Sequence, residues 1–422
     1  MSFINTIASL DRRKLAWWLI IPLVLLGLIA TLTTGASTNV CASEQPLKLE
    51  RGVSIHAWLN WAPLTEAGDY RWPPYHDLGE WGSAGDFERI KAMGFDFVRL
   101  SVDPGPLLSS DGKRRDEAVT RLEESVRAVS KVGLKVVLDL HPVGQVKAWS
   151  AESIEGPADA PMSARYRSVV ASVAKMLARV GTDKTALELM NEPQFYPCEG
   201  TGGEEWESVL IGLVRAVREA APGLTLVVSG ACGGNITGLT ELDPARLDDD
   251  RLIYSFHFYE PHSFTHQGVG EARDVKGVPW PADDAATDLA MIFSKLVLSQ
   301  YDLTAAEHSA RLAKVRRHLA IYMEEGWSEA QIKSRFAEVR AWAKQNGIPT
   351  SRLLLGEFSA LAPNAERSGG ALDADRFRWL DAVRREADAL GVGWAYWEYT
   401  DADSVAMEAI GMSQRAALPV GD

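Results

Sequence analysis

From residue 50 onward the chain alternates two hydrophobic rhythms: a stretch with apolar residues on one helical face ends in glycine, and a short, nearly continuous apolar run follows. Phe87–Met93 closes at Gly94 before Phe95–Val102, and Leu122–Val132 closes at Gly133 before Leu134–Leu140. A glycine just past a helix takes the left-handed backbone without a Cβ clash, so these two positions read as C-terminal caps. The unit returns at Tyr166–Val180 before Thr185–Met190, at Trp206–Ala221 before Leu224–Ser229, at Phe336–Asn346 before Arg352–Glu357, and at Phe377–Leu390 before Val392–Trp397. Gly52–Ile55 and Leu252–Tyr259 complete eight expected strands. Strands that are apolar throughout and alternate with helices imply a parallel sheet covered by helices. Eight of them in about 370 residues fit a closed (β/α)8 TIM barrel better than an open doubly wound sheet. No Gly-x-Gly-x-x-Gly turn follows the first strand, which argues against a nucleotide-binding fold.

Three segments depart from this rhythm. Between Tyr259 and Leu353 there are three helical patterns where one crossover helix would do, so a helical insertion is expected at about 281–346. After Trp397 only 25 residues remain, with a short amphipathic stretch at Met407–Ala417. At the other end, Arg12, Arg13 and Lys14 precede Leu15–Leu32, which contains no charged residue. A basic flank before an apolar run directs the following chain outward across the membrane. Residues 1–42 are therefore expected to be a signal peptide, cut after Ala42, or a membrane anchor through residues 15–32. Residues 43–422 are expected to be one domain, exported and monomeric.

Composition narrows the partners. With 44 Lys and Arg against 57 Asp and Glu the formal charge is −13, and since residues 1–42 contribute +2, the exported part carries −15. Phosphate backbones would repel such a chain, so nucleic acid is not an expected partner. Three cysteines far apart in sequence exclude a zinc module of closely paired cysteines. Cys198 and Cys232 would share an oxidising compartment, where they could form a disulfide or remain two separate buried thiols.

The chemistry is expected where apolar strands end, because a parallel barrel carries its site at the carboxyl ends of its strands. Those ends hold Arg99, Asp139-Leu140-His141, Asn191-Glu192-Pro193, His257-Phe258-Tyr259, Gly356-Glu357-Phe358 and Trp394–Trp397. His257 and Tyr259 are two apart and project to one face of a strand. One glutamate after a strand is ordinarily a solvated loop charge; two of them beside this many polar groups suggest paired carboxylates cleaving a glycosidic bond. His262 and His266 read as polar loop residues rather than as a metal pair.

The run Leu187-Glu188-Leu189-Met190-Asn191-Glu192-Pro193, the Leu355–Phe358 strand, His257–Tyr259 and Trp394–Glu398 together resemble the family 5 glycoside hydrolases. Arg51-Gly52-Val53, Val98-Arg99-Leu100 and Asp139-Leu140-His141 resemble the same family in the same order. The resemblance implies a retaining endo-β-glycanase, foremost an endo-β-1,4-glucanase, needing no cofactor and no metal. It implies Glu192 as acid/base, Glu357 as nucleophile and Asn191 beside the sugar 2-hydroxyl. Arg99 and Tyr259 would contact the nucleophile, His141 and His257 would line the subsite at the cleaved bond, and Trp397 would stack beneath it. The substrate is expected to be a polysaccharide or oligosaccharide outside the cytoplasmic membrane, with exopolysaccharide processing as one role. A β-mannanase, a β-1,3/1,6-glucanase and a non-catalytic polysaccharide-binding envelope protein are the alternatives. Loop aromatics Trp58, Trp61, Tyr70, Trp72, Tyr75, Trp81, Trp149, Phe195, Tyr196, Phe264 and Trp280 suggest a long cleft, about half of them plugging loops against the barrel instead.

Overall fold

The computed structural model describes residues 45–363 and 369–399; the expected export segment and the stretch Met407–Ala417 lie outside them. Eight parallel strands close into a barrel in sequence order. They are β1 Arg51–Leu59, β2 Phe97–Val102, β3 Lys135–Leu140, β4 Thr185–Glu188, β5 Thr225–Ser229, β6 Leu252–Phe258, β7 Leu353–Phe358 and β8 Gly393–Tyr396. All eight expected strands form, within a few residues of the pattern read from the sequence. Around them run α1 Ala84–Ala92, α2 Gly112–Lys131, α3 Pro161–Val180, α4 Thr201–Ala220, α5 Ile236–Glu241, α6 Asp284–Leu298, α7 Ala305–Glu325, α8 Glu329–Gln345 and α9 Asp373–Leu390. Among the described residues no helix is long and apolar enough to cross a membrane.

The apolar pattern divides into two shells. Outward-facing strand residues and the inner helix faces make one continuous buried core. Inside the barrel lies a second, smaller cluster: Leu49, Phe97, Val137, Ala186, Val227, Ile253, Leu354 and Ala395, with a residue from or beside each strand. Gly52 supplies no side chain to this floor because an added Cβ would lie 2.3 Å from the Phe97 ring. Every second residue above the floor also points inward, so the rungs over it are set by the same alternation.

The region between β6 and β7 contains the expected extra helices. Helix α8 is the crossover: Phe336 meets Phe256 and Phe258 edge-on at 5.6 and 5.4 Å, and Trp342 meets Tyr254 at 5.4 Å. Helices α6 and α7 are the additional pair. Capping boxes at Thr304/Glu307 and Ser328/Gln331 start α7 and α8, and Gly326 ends α7 with φ 61°. Arg335 on α8 makes a two-bond ion pair with Glu260, at 2.8 and 2.9 Å, one residue beyond Tyr259. Helix α6 buries Ala290, Ser294 and Leu298 while Leu289, Ile292, Phe293 and Leu296 face solvent.

Strand β7 breaks the alternation at one place. Phe256 pairs with Leu355 but His257 pairs with Glu357, so Gly356 is an extra residue in the ladder. Leu354 points to the barrel floor, and a Cβ at position 356 would also point inward, 2.4 Å from Ser255 Oγ and 3.0 Å from His257 Nε2. The bulge lets Glu357 turn inward too, and glycine is what makes room for two successive inward positions. Gly356→Ala is expected to cost about 1–3 kcal/mol through overpacking, and to lower turnover by displacing His257. A fall in thermal midpoint together with turnover would confirm it; a variant with wild-type midpoint and rate would not fit the bulge.

Candidate active site

The inward rungs above the floor are polar on the same side of the barrel. Above Phe97 comes Arg99, above Val137 come Asp139 and His141, and above Ala186 comes Glu188. Ser255 and His257 stand above Ile253, Ser54 and His56 above Gly52, and Trp397 above Ala395. Asp139 and Glu188 are direct neighbours in the β3–β4 ladder, an arrangement of like charges that needs a counter-charge. Arg99 supplies it. The guanidinium is fully buried; Nε and Nη2 donate to the two Glu188 oxygens at 2.7 and 2.9 Å, Nη1 donates to Glu357 at 2.6 Å, Nη2 donates to Asn191 Oδ1 at 2.8 Å, and Asp139 lies 3.1 Å away.

Glu357 is held by two donors, since the Tyr259 hydroxyl donates to its second oxygen at 2.7 Å. Burial alone would raise this carboxyl. The charges of His257, Arg99 and His141, with the Tyr259 bond, outweigh burial and hold its pKa below the usual value. At Glu188 burial prevails and the pKa is raised in spite of Arg99. Asp139 is lowered: Arg99 and His141 overcome its burial. For Tyr259, burial and the adjacent carboxylates push the phenol well above its ordinary value, so it stays a donor.

Glu192 comes from the turn after β4, where its backbone has φ 43°. Such a left-handed turn is uncommon for a residue with a long side chain and is the kind of strain that fixed functional positions carry. Its side chain is about one-third exposed, against 4% for Glu357, and Oε1 lies 2.8 Å from His257 Nδ1. Burial works against charge on His257, but Glu357 and Glu192 outweigh it and raise its pKa. Donor atoms of Glu192, His257 and Glu357 all lie within 4.8 Å of one another, so the two carboxylates face one cavity. They are also the group among the described residues whose spacing suits a shared ion, although hydrogen bonds to one another and to Arg99 and Tyr259 already engage these atoms.

On the other side of the carboxylates, His141 stacks on Trp397 at 5.6 Å and 18°, and His56 approaches both rings at 5.0 and 4.8 Å. His141 Nδ1 is 2.7 Å from Asp139, which raises the imidazole pKa despite burial, and its Nε2 is 3.3 Å from Asn191 Nδ2. Burial and the neighbouring His141 push His56 down to about 4, so this ring is neutral and accepts a bond from Trp61 Nε1 at 2.9 Å.

Arg99, His141, Asn191, Glu192, His257, Tyr259, Glu357 and Trp397 thus lie in one hydrogen-bonded and stacked constellation. Three further members were not singled out as site residues from the sequence: His56, Asp139 and Glu188. The signal for the last two was a lone charge inside an apolar run, and for His56 its place two residues beyond Ser54. The loop aromatics divide as expected, about half of them plugging loops: Trp58, Tyr70, Tyr75, Phe195, Phe264 and Trp280 are buried, Trp58 stacking on Trp81 at 5.4 Å, whereas Trp61 and Tyr196 are 50% and 61% exposed. His262 opens a single helical turn, and His266 closes it with Thr265 Oγ1 2.9 Å from its Nδ1. Cys198 and Cys232 form a disulfide across 5.4 Å between Cα atoms, joining the loops after β4 and β5.

Comparison with known proteins accords with this geometry. Endoglucanase 3 of Fibrobacter succinogenes is 25% identical over 381 residues, covering 87% of this chain and 52% of that protein. Cellodextrinase A of Ruminococcus flavefaciens is 26% identical over 53% of this chain and 62% of its own length. The chain therefore spans roughly half to two-thirds of these curated relatives. Among solved structures, cellulose synthase subunit Z from Clostridioides difficile shares the fold with a TM-score of 0.56 at 22% identity, covering 84% of this chain and 93% of that one. Cel5A of Thermotoga maritima gives 0.56 at 21% identity, covering 84% and 91%. The model of the Cellulase (glycosyl hydrolase family 5) family matches residues 72–403, most of the chain with Asp139, Glu188, Glu192 and Glu357 all inside it, and the protein belongs to that family.

Proposed function

We propose that the chain is a retaining endo-β-1,4-glucanase with Glu357 as nucleophile and Glu192 as acid/base. The observation that supports this above all is the separation: one oxygen of each carboxylate lies within 4.8 Å of the other, which suits direct attack, whereas the carboxyl groups of an inverting pair would stand ~6.5–9.5 Å apart to admit a water. The environments fit the two roles. Glu357, buried and bonded by Arg99 and Tyr259, is ionised and aimed for attack on the anomeric carbon. Glu192, more exposed and beside His257, gives its proton to the departing oxygen. A glycosyl ester on Glu357 results; Glu192 then takes a proton from water, which attacks the same carbon and restores the nucleophile. Asn191, fixed by Arg99 and next to His141, is placed for the sugar 2-hydroxyl, and Trp397 with His141 forms the apolar floor below the ring.

The 1,4-glucan assignment draws on the relatives, named as an endoglucanase and a cellodextrinase. A mannan reading draws on one structural neighbour, Thermotoga maritima Cel5A, solved with mannotriose as well as with cellobiose. We place the activity outside the cytoplasmic membrane, supported by the apolar run Leu15–Leu32 and by a disulfide that suits an oxidising compartment. Processing of an exopolysaccharide is the role we favour there.

Reducing-end release from a panel of soluble β-1,4-glucan, β-1,3/1,6-glucan and β-mannan is expected to be greatest on the first; a preference for mannan would shift the assignment to the second reading. Glu357→Ala should lose hydrolysis on every substrate. Glu192→Ala should fall by ~10²–10⁴-fold on polysaccharide and much less on a glycoside with an activated leaving group, with azide restoring turnover as the β-glycosyl azide. An α-azide, or hydrolysis by Glu357→Ala, would contradict retention through Glu357. Because Glu357 is held below the usual carboxyl range, its ionisation is complete above that range and is lost as pH falls through the lowered value. Tyr259→Phe removes one hydrogen bond to a charged group, an effect of ~1.5–3 kcal/mol, so its kcat should drop ~10- to 100-fold. The acid limb of its kcat/KM profile should move to higher pH; an unmoved limb would show that Tyr259 does not act on the nucleophile.

A further inference from the structure

The mechanism leaves one flank of the constellation without a role. Beside Glu192, opposite the His56–His141–Trp397 side, lies a cavity of about 290 Å³ bordered by Gln194, Tyr196, Gly233, Asn235 and His262, with Glu192, His257 and Tyr259 at its inner end. An acid that protonates the glycosidic oxygen must stand against the leaving half of the substrate. Given the reading of Glu192 in Proposed function, on which the inference rests, this cavity takes the departing sugar.

Its outer wall is one aromatic ring. Tyr196 is 61% exposed, and with the exposed Pro197 it spans between Phe195 and Cys198, both buried at 7%. Exposing a large ring between two anchored residues has no packing benefit, while the apolar face of a pyranose is a fitting partner for it. The loop is pinned at several points. Cys232 N donates to Phe195 O at 3.2 Å and Gly233 N donates to Pro193 O at 2.8 Å. The Cys198–Cys232 disulfide closes the loop just beyond Tyr196, with Cys198 N 2.9 Å from Cys232 Sγ. Gly233 takes the left-handed backbone, φ 69°, and lies beside Tyr196, the position of a Cβ there being 3.5 Å from the phenol oxygen. Asn235 and His262 add polar edges suited to hydroxyl groups.

We infer that Tyr196 is the platform for the leaving-group sugar, and that the Cys198–Cys232 disulfide is its positioning element, so that together they set which bond of a glucan chain is cut. The ligand class is a β-linked hexosyl unit on the reducing-end side of the scissile bond. A shallow stacking contact of this kind discriminates by about one order of magnitude in kcat/KM.

The test compares two substrates that share the sugar being attacked. Cellopentaose presents leaving sugars to Tyr196; cellobiosyl fluoride departs as fluoride and presents none. In Tyr196→Ala the ratio of kcat/KM for cellopentaose to that for cellobiosyl fluoride should fall about tenfold, and the distribution of cellopentaose products should shift. Tyr196→Phe should restore both, since the ring and not the hydroxyl carries the contact. The Cys198→Ser/Cys232→Ser double variant, and the wild type under reductant, should show the same fall in ratio. An unchanged ratio in Tyr196→Ala, or an equal loss on both substrates, would overturn the platform. A normal ratio without the disulfide would overturn the positioning role. Failure of the wild type to hydrolyse either substrate would refute the glucanase reading itself, which separates the two ideas.

Discussion

A single buried guanidinium holds this site together. Arg99 meets Asp139, Glu188 and Glu357 where no water-exposed face is available to any of them, and two of those carboxylates are neighbours across strands. Buried ion clusters are poor devices for stability, because desolvation cancels much of the attraction; removing one partner, however, costs ~3–5 kcal/mol by leaving uncompensated charge. The cluster is better understood as a device for placement. It fixes Glu357 through one nitrogen and Asn191, the residue beside Glu192, through another, so the two facing glutamates share a common reference point. Around that one arginine burial raises the pKa of Glu188, while the adjacent carboxylates raise those of His141 and His257 against their burial.

The site thereby separates two chemically identical side chains by environment. One glutamate is enclosed by donors, and the other sits at the rim beside an imidazole. Neither environment needs an unusual residue; each follows from where its strand ends and what the adjacent strands bring to the same height. The barrel makes that possible because every strand delivers inward positions in register with its neighbours, so polar rungs from β1, β2, β3, β4, β6, β7 and β8 meet above one apolar floor.

Much of this was legible in the chain before any coordinates. The eight apolar runs and their glycine-terminated helices map onto strands and helices because burial on both faces demands that composition. The strand-end polar residues were recognisable for the same reason: a charge closing an apolar run must be answered by something. Asp139 and Glu188 stood in the quoted motifs but received no role, because a sequence shows a charge and not the arginine, one strand from Asp139 and two from Glu188, that faces it. Which of the loop aromatics are buried was not legible, since exposure depends on tertiary packing: Trp58 and Trp61 differ by three positions, yet one is sealed against Trp81 and Phe87 and the other faces solvent. The disulfide was open on sequence alone because it joins loops from two strands that only the closed sheet brings side by side.

Gly356 carries an implication for recognising and redesigning relatives. The two acids are conspicuous, and a chain that kept both would pass any inspection based on them. Yet the second acid reaches the cavity only because the preceding position adds no atoms to the barrel interior. A scaffold intended to receive this reaction must therefore reserve an empty place as deliberately as it installs the reactive groups, and a transplant of side chains without that vacancy would inherit the parts and lose their alignment.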